Sequence, residues 1–405
     1  MTGLKLARRA AARYRARTIL AVAGVAIIAA LNFDMLLLSR GLLLSFADMI
    51  NSAGFDVRVT GITGLPLSRQ PVTEVSKLAA DIRRLPEVDD VAVLRIEQGS
   101  AGVSDRREEG VTLLGTTEST VHGGWRLVRG RDLREHEPEG MPPLIVTRRL
   151  ASEFNLEPGS MLRVRPRSVG KSSILPPVAG RIVGIADFTF ETAGEHTVAT
   201  TLDGFQAISG SADEGAGDVA DLLLVASRPA SGADRASAAI SRLRSDIRVY
   251  SNQEIIEQFN ENGFAYFRQI SIVLSTTTAV FTFLLVATLL TVSVNQRLGE
   301  IAALRAIGIS RRRVGAMLLW ESALLVGVGG LLALPLGGAL AMFLDDLLRR
   351  MPGLPERLHF FVFEPRALVL HTATLVVTAI VAAAYPVRLA VTLPISSTLR
   401  RELGS

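Results

Sequence analysis

Four segments of this chain are each long and apolar enough to cross a lipid bilayer: residues 18–44, 270–294, 314–343 and 367–389. About 20 apolar residues are needed to span the hydrocarbon core as a helix, because every backbone polar group must then be satisfied within the segment. Between the first two lies an insert, 45–268, that is long enough to hold a core of its own. Apolar spans plus a water-soluble insert explain how a mean hydropathy of +0.34 coexists with 20% charged residues. The first span is too long for a signal-peptide core, lacks a clear small-residue cleavage site, and runs on through Leu36, Leu37 and Leu38, so an uncleaved anchor helix is expected.

Basic residues orient the spans, because cytoplasmic flanks collect Lys and Arg. Lys5, Arg8, Arg9, Arg13, Arg15 and Arg17 fill the N-terminal segment 1–17 with no acid among them. The loop 295–313 carries Arg297, Arg305, Arg311, Arg312 and Arg313 against Glu300, and Arg388, Arg400 and Arg401 lie at or beyond the end of the fourth span, the last two in the tail 390–405. The loop 344–366 is balanced in charge. Both termini and 295–313 are therefore expected in the cytoplasm, with 45–268 and 344–366 outside. The net charge of +5 is thus absorbed by topology, and no nucleic-acid partner is expected. The chain has no Cys and only five scattered His, which removes disulfides, thiol catalysis and any recognisable metal-ligand spacing.

The insert reads as mixed α/β. Val75 to Leu85 has helical periodicity, Val88 to Leu94 is strand-like, and Leu144–Val146 precedes a helix through Leu150 and Phe154. Met161–Val164, Arg181–Ile185 and Leu222–Val225 read as further strands, and Ala233–Leu243 as a helix. Ser209–Gly217 reads as a surface loop; Glu254–Arg268 is expected to run helically into the second span, and Leu43–Asn51 to continue the first. Gly170-Lys171-Ser172-Ser173 lacks the first glycine of a phosphate loop, since Arg165 stands there.

The most specific stretch is Val294-Asn295-Gln296-Arg297-Leu298-Gly299-Glu300-Ile301-Ala302-Ala303-Leu304-Arg305-Ala306-Ile307-Gly308, followed by Arg311-Arg312-Arg313. It resembles the cytoplasmic coupling segment of MacB/FtsX-like (LolC/LolE-like) ABC transporter permeases of the mechanotransmission, or type VII, class. Tyr385-Pro386-Val387-Arg388 with Pro394-Ile395 is similar to the C-terminal tail of that family. Val146-Thr147-Arg148-Arg149-Leu150-Ala151, Leu156-Glu157-Pro158-Gly159 and Arg181–Ile185 are similar to its periplasmic core. Gln296 and Leu298 depart from the pattern, where the family often carries charge, and residues 205–217 match no motif.

The resemblance implies four transmembrane helices plus a large extracytoplasmic α/β (α+β) domain of MacB-periplasmic-core type, in a bacterial inner (plasma) membrane. It implies a non-catalytic subunit whose ATP and Mg are bound by a separate cytoplasmic ABC ATPase dimer. Other implied partners are a second permease copy or homologue, membrane lipids, and a periplasmic adaptor or carrier with an outer-membrane component. The cargo class is a lipid, lipoprotein, peptide or drug-like molecule exported or extracted from the membrane or periplasm. An FtsX-like signalling module that regulates a cell-wall hydrolase without transport is the alternative.

The residues expected to couple to the ATPase are Arg297, Leu298, Glu300, Ile301, Leu304, Arg305, Ile307 and Gly308. Arg297, Ile301 and Arg305 share one helical face, Gly308 suits a left-handed C-cap, and Ser310 suits the next N-cap. Asp34, Arg40 and Glu321 are polar residues within spans and so functional candidates, with Glu321 expected to contact the coupling helix. Gly327, Gly329, Gly330, Gly337 and Gly338 stud the third span beside Pro335, which suits close helix packing, within one subunit or across a dimer.

Overall fold

The computed structural model describes residues 15–392, apart from 53, 63–70, 105–106, 118–123, 134–139, 167–175, 193, 211–217, 264, 297, 352–354 and 356. The basic residues before Arg15, the Gly170–Ser173 segment, residues 211–217 of the expected loop and the tail from 393 onward lie outside the described residues. The chain divides into a membrane-type unit, 1–44 with 262–348 and 359–405, and a second unit, 45–261 with 349–358.

The membrane-type unit is built on α1 (Arg15–Asn51), which runs on into the second unit. Four helices are long and apolar enough to cross a bilayer, and α1 is the first of them. Its partners are α7 (Ala265–Gln296), α9 (Arg311–Arg349) and α10 (Pro365–Thr392), with the short α8 (Leu298–Ala306) between α7 and α9. Lipid-facing packing gains little from hydrophobicity, so close approach at small residues carries it. A Cβ on Gly329 would lie 2.6 Å from Val25 of α1, and one on Gly330 would lie 2.4 Å from Leu375 of α10. Gly327 and Gly338 have nothing within 4 Å of such an atom. The glycine-rich face of α9 is therefore split: part packs within this chain and part is open.

In the second unit, twelve strands and five helices are ordered β1 (Val57–Gly61), β2 (Val72–Thr73), α2 (Val75–Arg83), β3 (Val88–Ser104), β4 (Arg107–Thr116), β5 (Trp125–Gly130), β6 (Pro143–Thr147), α3 (Arg148–Glu153), β7 (Met161–Pro166), β8 (Val178–Phe188), β9 (His196–Thr201), α4 (Leu202–Ser209), β10 (Val219–Ala220), β11 (Leu222–Ser227), α5 (Gly232–Ser241), β12 (Ile247–Ser251) and α6 (Asn252–Gln258) among the described residues. Ten strands form one mixed sheet in the order β12-β1-β11-β3-β4-β9-β6-β8-β5, with β7 bridging β3 and β8. Among the described residues only β4–β9 and β6–β8 pair in parallel. The small β2–β10 pair stands apart.

One face of each half of this sheet packs on helices, and the central strands β6, β8 and β11 are buried on both faces. At one end Val57, Val59, Val91, Val93, Leu223 and Val225 meet α2 and α5 through Leu78, Ile82, Ala236 and Ile240. At the other, Leu113, Val146, Ile182 and Val198 meet α3 and α4 through Leu150, Phe205 and Ile208. Each fully buried Leu, Ile or Phe contributes about 1.5–3 kcal/mol, so both clusters hold the sheet. Helix starts are fixed locally: Thr147 accepts from the Leu150 amide, Thr201 from the Gly204 amide, and Ser251 forms a capping box with Glu254.

Three readings of the sequence differ from this fold. The strand expected at Val88–Leu94 runs on to Ser104, because β4 and β7 pair with its second half. The surface loop expected from Ser209 begins one residue later, because Ser209 still closes α4. The helical run into the second span is interrupted: α6 ends at Gln258 and a π-helical turn occupies Phe259–Gly263 before α7 begins.

Candidate functional site

The site is built around α8. Leu298, Ile301 and Ile309 pack with Val294 of α7, Val314 and Leu318 of α9, and Val387 of α10. Ile301 and Ala302 are each 5% exposed, so this face of α8 is locked to the bases of three spans. The expected partner-facing stripe of Arg297, Ile301 and Arg305 thus turns inward at Ile301. The reason is physical: packing Ile301 among Val294, Val314 and Leu318 removes it from water. Arg297 and the Leu304 side chain lie outside the described residues.

The opposite face is exposed: Glu300 and Ala303 point outward and Ile307, just past the helix end, is 82% exposed, while Arg305, on the Ile301 face, is half-buried. Arg311, Arg312 and Arg313 follow, all exposed, in the first turn of α9. Between them Gly308 has φ 98°, a conformation that L side chains rarely adopt, with nothing within 4 Å of an added Cβ. Its amide donates to the Arg305 carbonyl at 3.1 Å, and the Ile307 amide to the Ala303 carbonyl at 3.1 Å, closing the helix. The Ser310 carbonyl accepts from the Arg313 and Val314 amides and opens α9.

The polar residues of the spans fall into separate places. Glu321, 9% exposed, accepts through Oε1 from Ser293 Oγ at 2.9 Å. This contact is with α7, and Glu321 lies nearly three helical turns into α9. Arg40 is exposed and pairs with Glu364 at 3.0 Å. Asp34 is wholly buried against α9, 3.2 Å from where a Gly337 Cβ would be, and its carboxylate has no hydrogen-bond partner among the described residues. Asp34 and Arg40 are both candidates as polar residues of the first span; the helix turns them to different surroundings.

Two polar contacts and one buried imidazole escaped the sequence reading. Asn32 Nδ2 donates from α1 to the Ser275 carbonyl, Ser275 Oγ and Thr278 Oγ1 of α7, at 3.0, 2.9 and 3.1 Å. Asp345 Oδ1 accepts from the Phe360 amide at 2.7 Å and Oδ2 lies 2.9 Å from His359 Nδ1, which fastens the segment after α9. His371, 2% exposed, packs its ring 5.2 Å from that of Phe33. A lone Asn or His inside an apolar run was the available signal.

In the second unit, burial is the main cause that raises the Glu97 carboxyl above its usual value, with nearby Arg95 acting against it and Asp221 with it. Burial lowers Arg58, whose Nη1 donates to Asn252 Oδ1 at 2.9 Å.

Four apolar helices, a short exposed helix between the second and third, and a large α/β domain inserted after the first define a membrane permease subunit. A model of the MacB-like periplasmic core domain matches residues 18–243, and a model of the FtsX-like permease C-terminal region matches residues 272–395. The chain belongs to the MacB/FtsX-like family of ABC transporter permeases. The periplasmic region of MacB from Actinobacillus actinomycetemcomitans is similar at 14% identity and TM-score 0.41, over 53% of this chain and 96% of that one. The extracellular domain of the noncanonic ABC-type transporter YknZ from Gram-positive bacteria is similar at 12% identity and TM-score 0.33, over 48% of this chain and 99% of that one. A domain of a putative permease protein from Porphyromonas gingivalis gives 15% identity and TM-score 0.33, over 49% and 89%. No curated protein matches the chain in a sequence search.

Proposed function

We propose that this chain is the inner-membrane permease subunit of an ABC transporter and that α8 is where a separate cytoplasmic ATPase dimer, binding ATP and Mg, grips it. The observation that carries this reading is the two-sidedness of α8. One face is fixed to α7, α9 and α10 through Ile301 and Leu298; the other offers Glu300 and the exposed Ile307, with the half-buried Arg305 at the last turn of the fixed face. An exposed aliphatic residue beside charged groups suits a hydrophobic groove on a partner. A force applied to that face reaches three spans at once. The termini and α8 are cytoplasmic, following the asymmetry of basic residues.

In this mechanism ATP-driven closure of the motor tilts α8, and the spans pass the motion to the α/β domain outside. The permease works with a second copy or a homologue. It moves a lipid, lipoprotein, peptide or drug-like molecule from the membrane or periplasm, towards an adaptor, carrier or outer-membrane component. Replacing Glu300 and Arg305 together with Ala tests the coupling step. Truncated interface hot spots cost about 2 kcal/mol or more, roughly 30-fold in affinity. The double variant is expected in the membrane at normal levels, with its ATPase lost on co-purification or its hydrolysis no longer dependent on the permease. Normal binding and coupled hydrolysis would reduce α8 to a charged loop.

A further inference from the structure

Between α9 and α10 a cavity of about 340 Å³ opens on the side of the bundle. Its walls are apolar, with Leu331 and Leu334 on α9 facing Leu375, Val376 and Ile380 on α10. The rim is open, since Leu331, Val376 and Ile380 are each more than half exposed. At one end the lining includes His371, which is 2% exposed and has no hydrogen-bond partner on either ring nitrogen among the described residues. Thr372 beside it is already satisfied, its hydroxyl donating to the Leu368 carbonyl at 2.8 Å. A buried imidazole without a partner loses the full desolvation of its N–H, so it gains from any acceptor that enters.

Polarity selects the occupant. From His371 to Ile380 the groove runs about 14 Å along α10. A single hydrocarbon chain, thin and apolar with one acceptor at its head, matches apolar walls that carry one unpartnered donor at one end. Depth agrees: His371 sits four residues, about 6 Å, inside the expected span boundary at Ala367, where lipid ester groups meet hydrocarbon.

We propose that this groove binds one acyl chain of a bilayer phospholipid, with the chain's ester carbonyl accepting a hydrogen bond from the His371 ring N–H. The proposal rests on reading the chain as a membrane-spanning permease and gives that permease a lipid site between α9 and α10. It requires no bound ATPase.

The full chain, reconstituted in nanodiscs without its ATPase, is exposed to a phosphatidylglycerol carrying a diazirine midway along one acyl chain. Adducts mapped by mass spectrometry are expected to concentrate at 326–331 and 375–380, well above the equally exposed Val273 and Phe281 on α7. His371→Phe keeps the ring packing on Phe33 and removes the donor; labelling should fall about 3- to 10-fold, the range of one net hydrogen bond. His371→Gln restores a donor and most of the labelling. Gly327→Leu fills the groove from a position where an added Cβ meets nothing within 4 Å, and should abolish labelling while the chain folds. Uniform labelling of all exposed faces, or labelling indifferent to His371→Phe and Gly327→Leu, overturns the proposal. So does a disulfide between two copies through Gly327→Cys, which would put a helix in the groove. Because the assay contains no ATPase, loss of coupling through α8 leaves it unchanged and is recognised separately.

Discussion

Gly308 offers a test in which backbone and packing effects separate. Its φ of 98° lies in the left-handed region, and an added Cβ would meet no atom within 4 Å. Any cost of substitution therefore comes from the backbone alone. For an L residue held in a left-handed conformation that cost is about 1–2 kcal/mol, more for a β-branched side chain and less for Asn. The turn closes α8 through the Arg305 and Ala303 carbonyls, so the penalty falls on the position of α8. The expected order of harm is Asn, then Ala, then Val. Hydrogen exchange of the amides in 298–306 should quicken about 5- to 30-fold for Gly308→Ala, from the same free energy. Permease-dependent ATP hydrolysis should fall in the same order, with the membrane level of the chain unchanged. If Gly308→Val exchanges and couples like the wild type, the turn does not set α8 and the reasoning fails. Equal damage from Asn and Val would point to a packing contact instead.

Two further outcomes follow from the geometry. Burial raises the Glu97 carboxyl above its ordinary value of about 4.5, so the folded domain holds that proton more tightly than the unfolded chain. Its favourable contribution is then complete below about pH 4.5 and is lost as pH rises through the folded value. Glu97→Gln should accordingly unfold at a higher temperature than wild type at pH 7, with the gain shrinking towards pH 4, read from the buried Trp125 in a Trp320→Phe background; equal melting at both pH values would contradict it. Asn32→Val and Thr278→Val remove the same bond between α1 and α7, so a double-mutant cycle on the detergent-solubilised chain should show about 0.6–1.7 kcal/mol of coupling, and strict additivity would refute it.

The elements legible in the sequence were those with a strong local signal. Unbroken apolar runs gave α1, α7, α9 and α10, and helical periodicity gave α2 with Val75, Leu78, Ala79 and Ile82 buried. Strands such as β5 and β12, and the second half of β3, went unread because their stability comes from partners distant in sequence, such as β8 for β5. The π-helical turn at Phe259–Gly263 has no signature in a helix-forming stretch. At α8 the motif and the left-handed glycine were legible, but not which face is buried. That depends on Val294, Val314 and Leu318 converging on Ile301. For the same reason Asp34 and Arg40 looked alike in sequence and differ in the fold.

The central claim is that the exposed face of α8 meets an ATPase in the cytoplasm. The chain has no native Cys, so Ile307→Cys introduces a single thiol at a position that is 82% exposed. In membranes containing the cognate ATPase, a short thiol-reactive photo-crosslinker at position 307 should join the two chains, with a yield that changes on adding ATP. The same thiol should resist an impermeant reagent in intact cells and react once the cells are opened. Labelling from outside intact cells, or no crosslink to an ATPase that still co-purifies with the permease, would contradict the account.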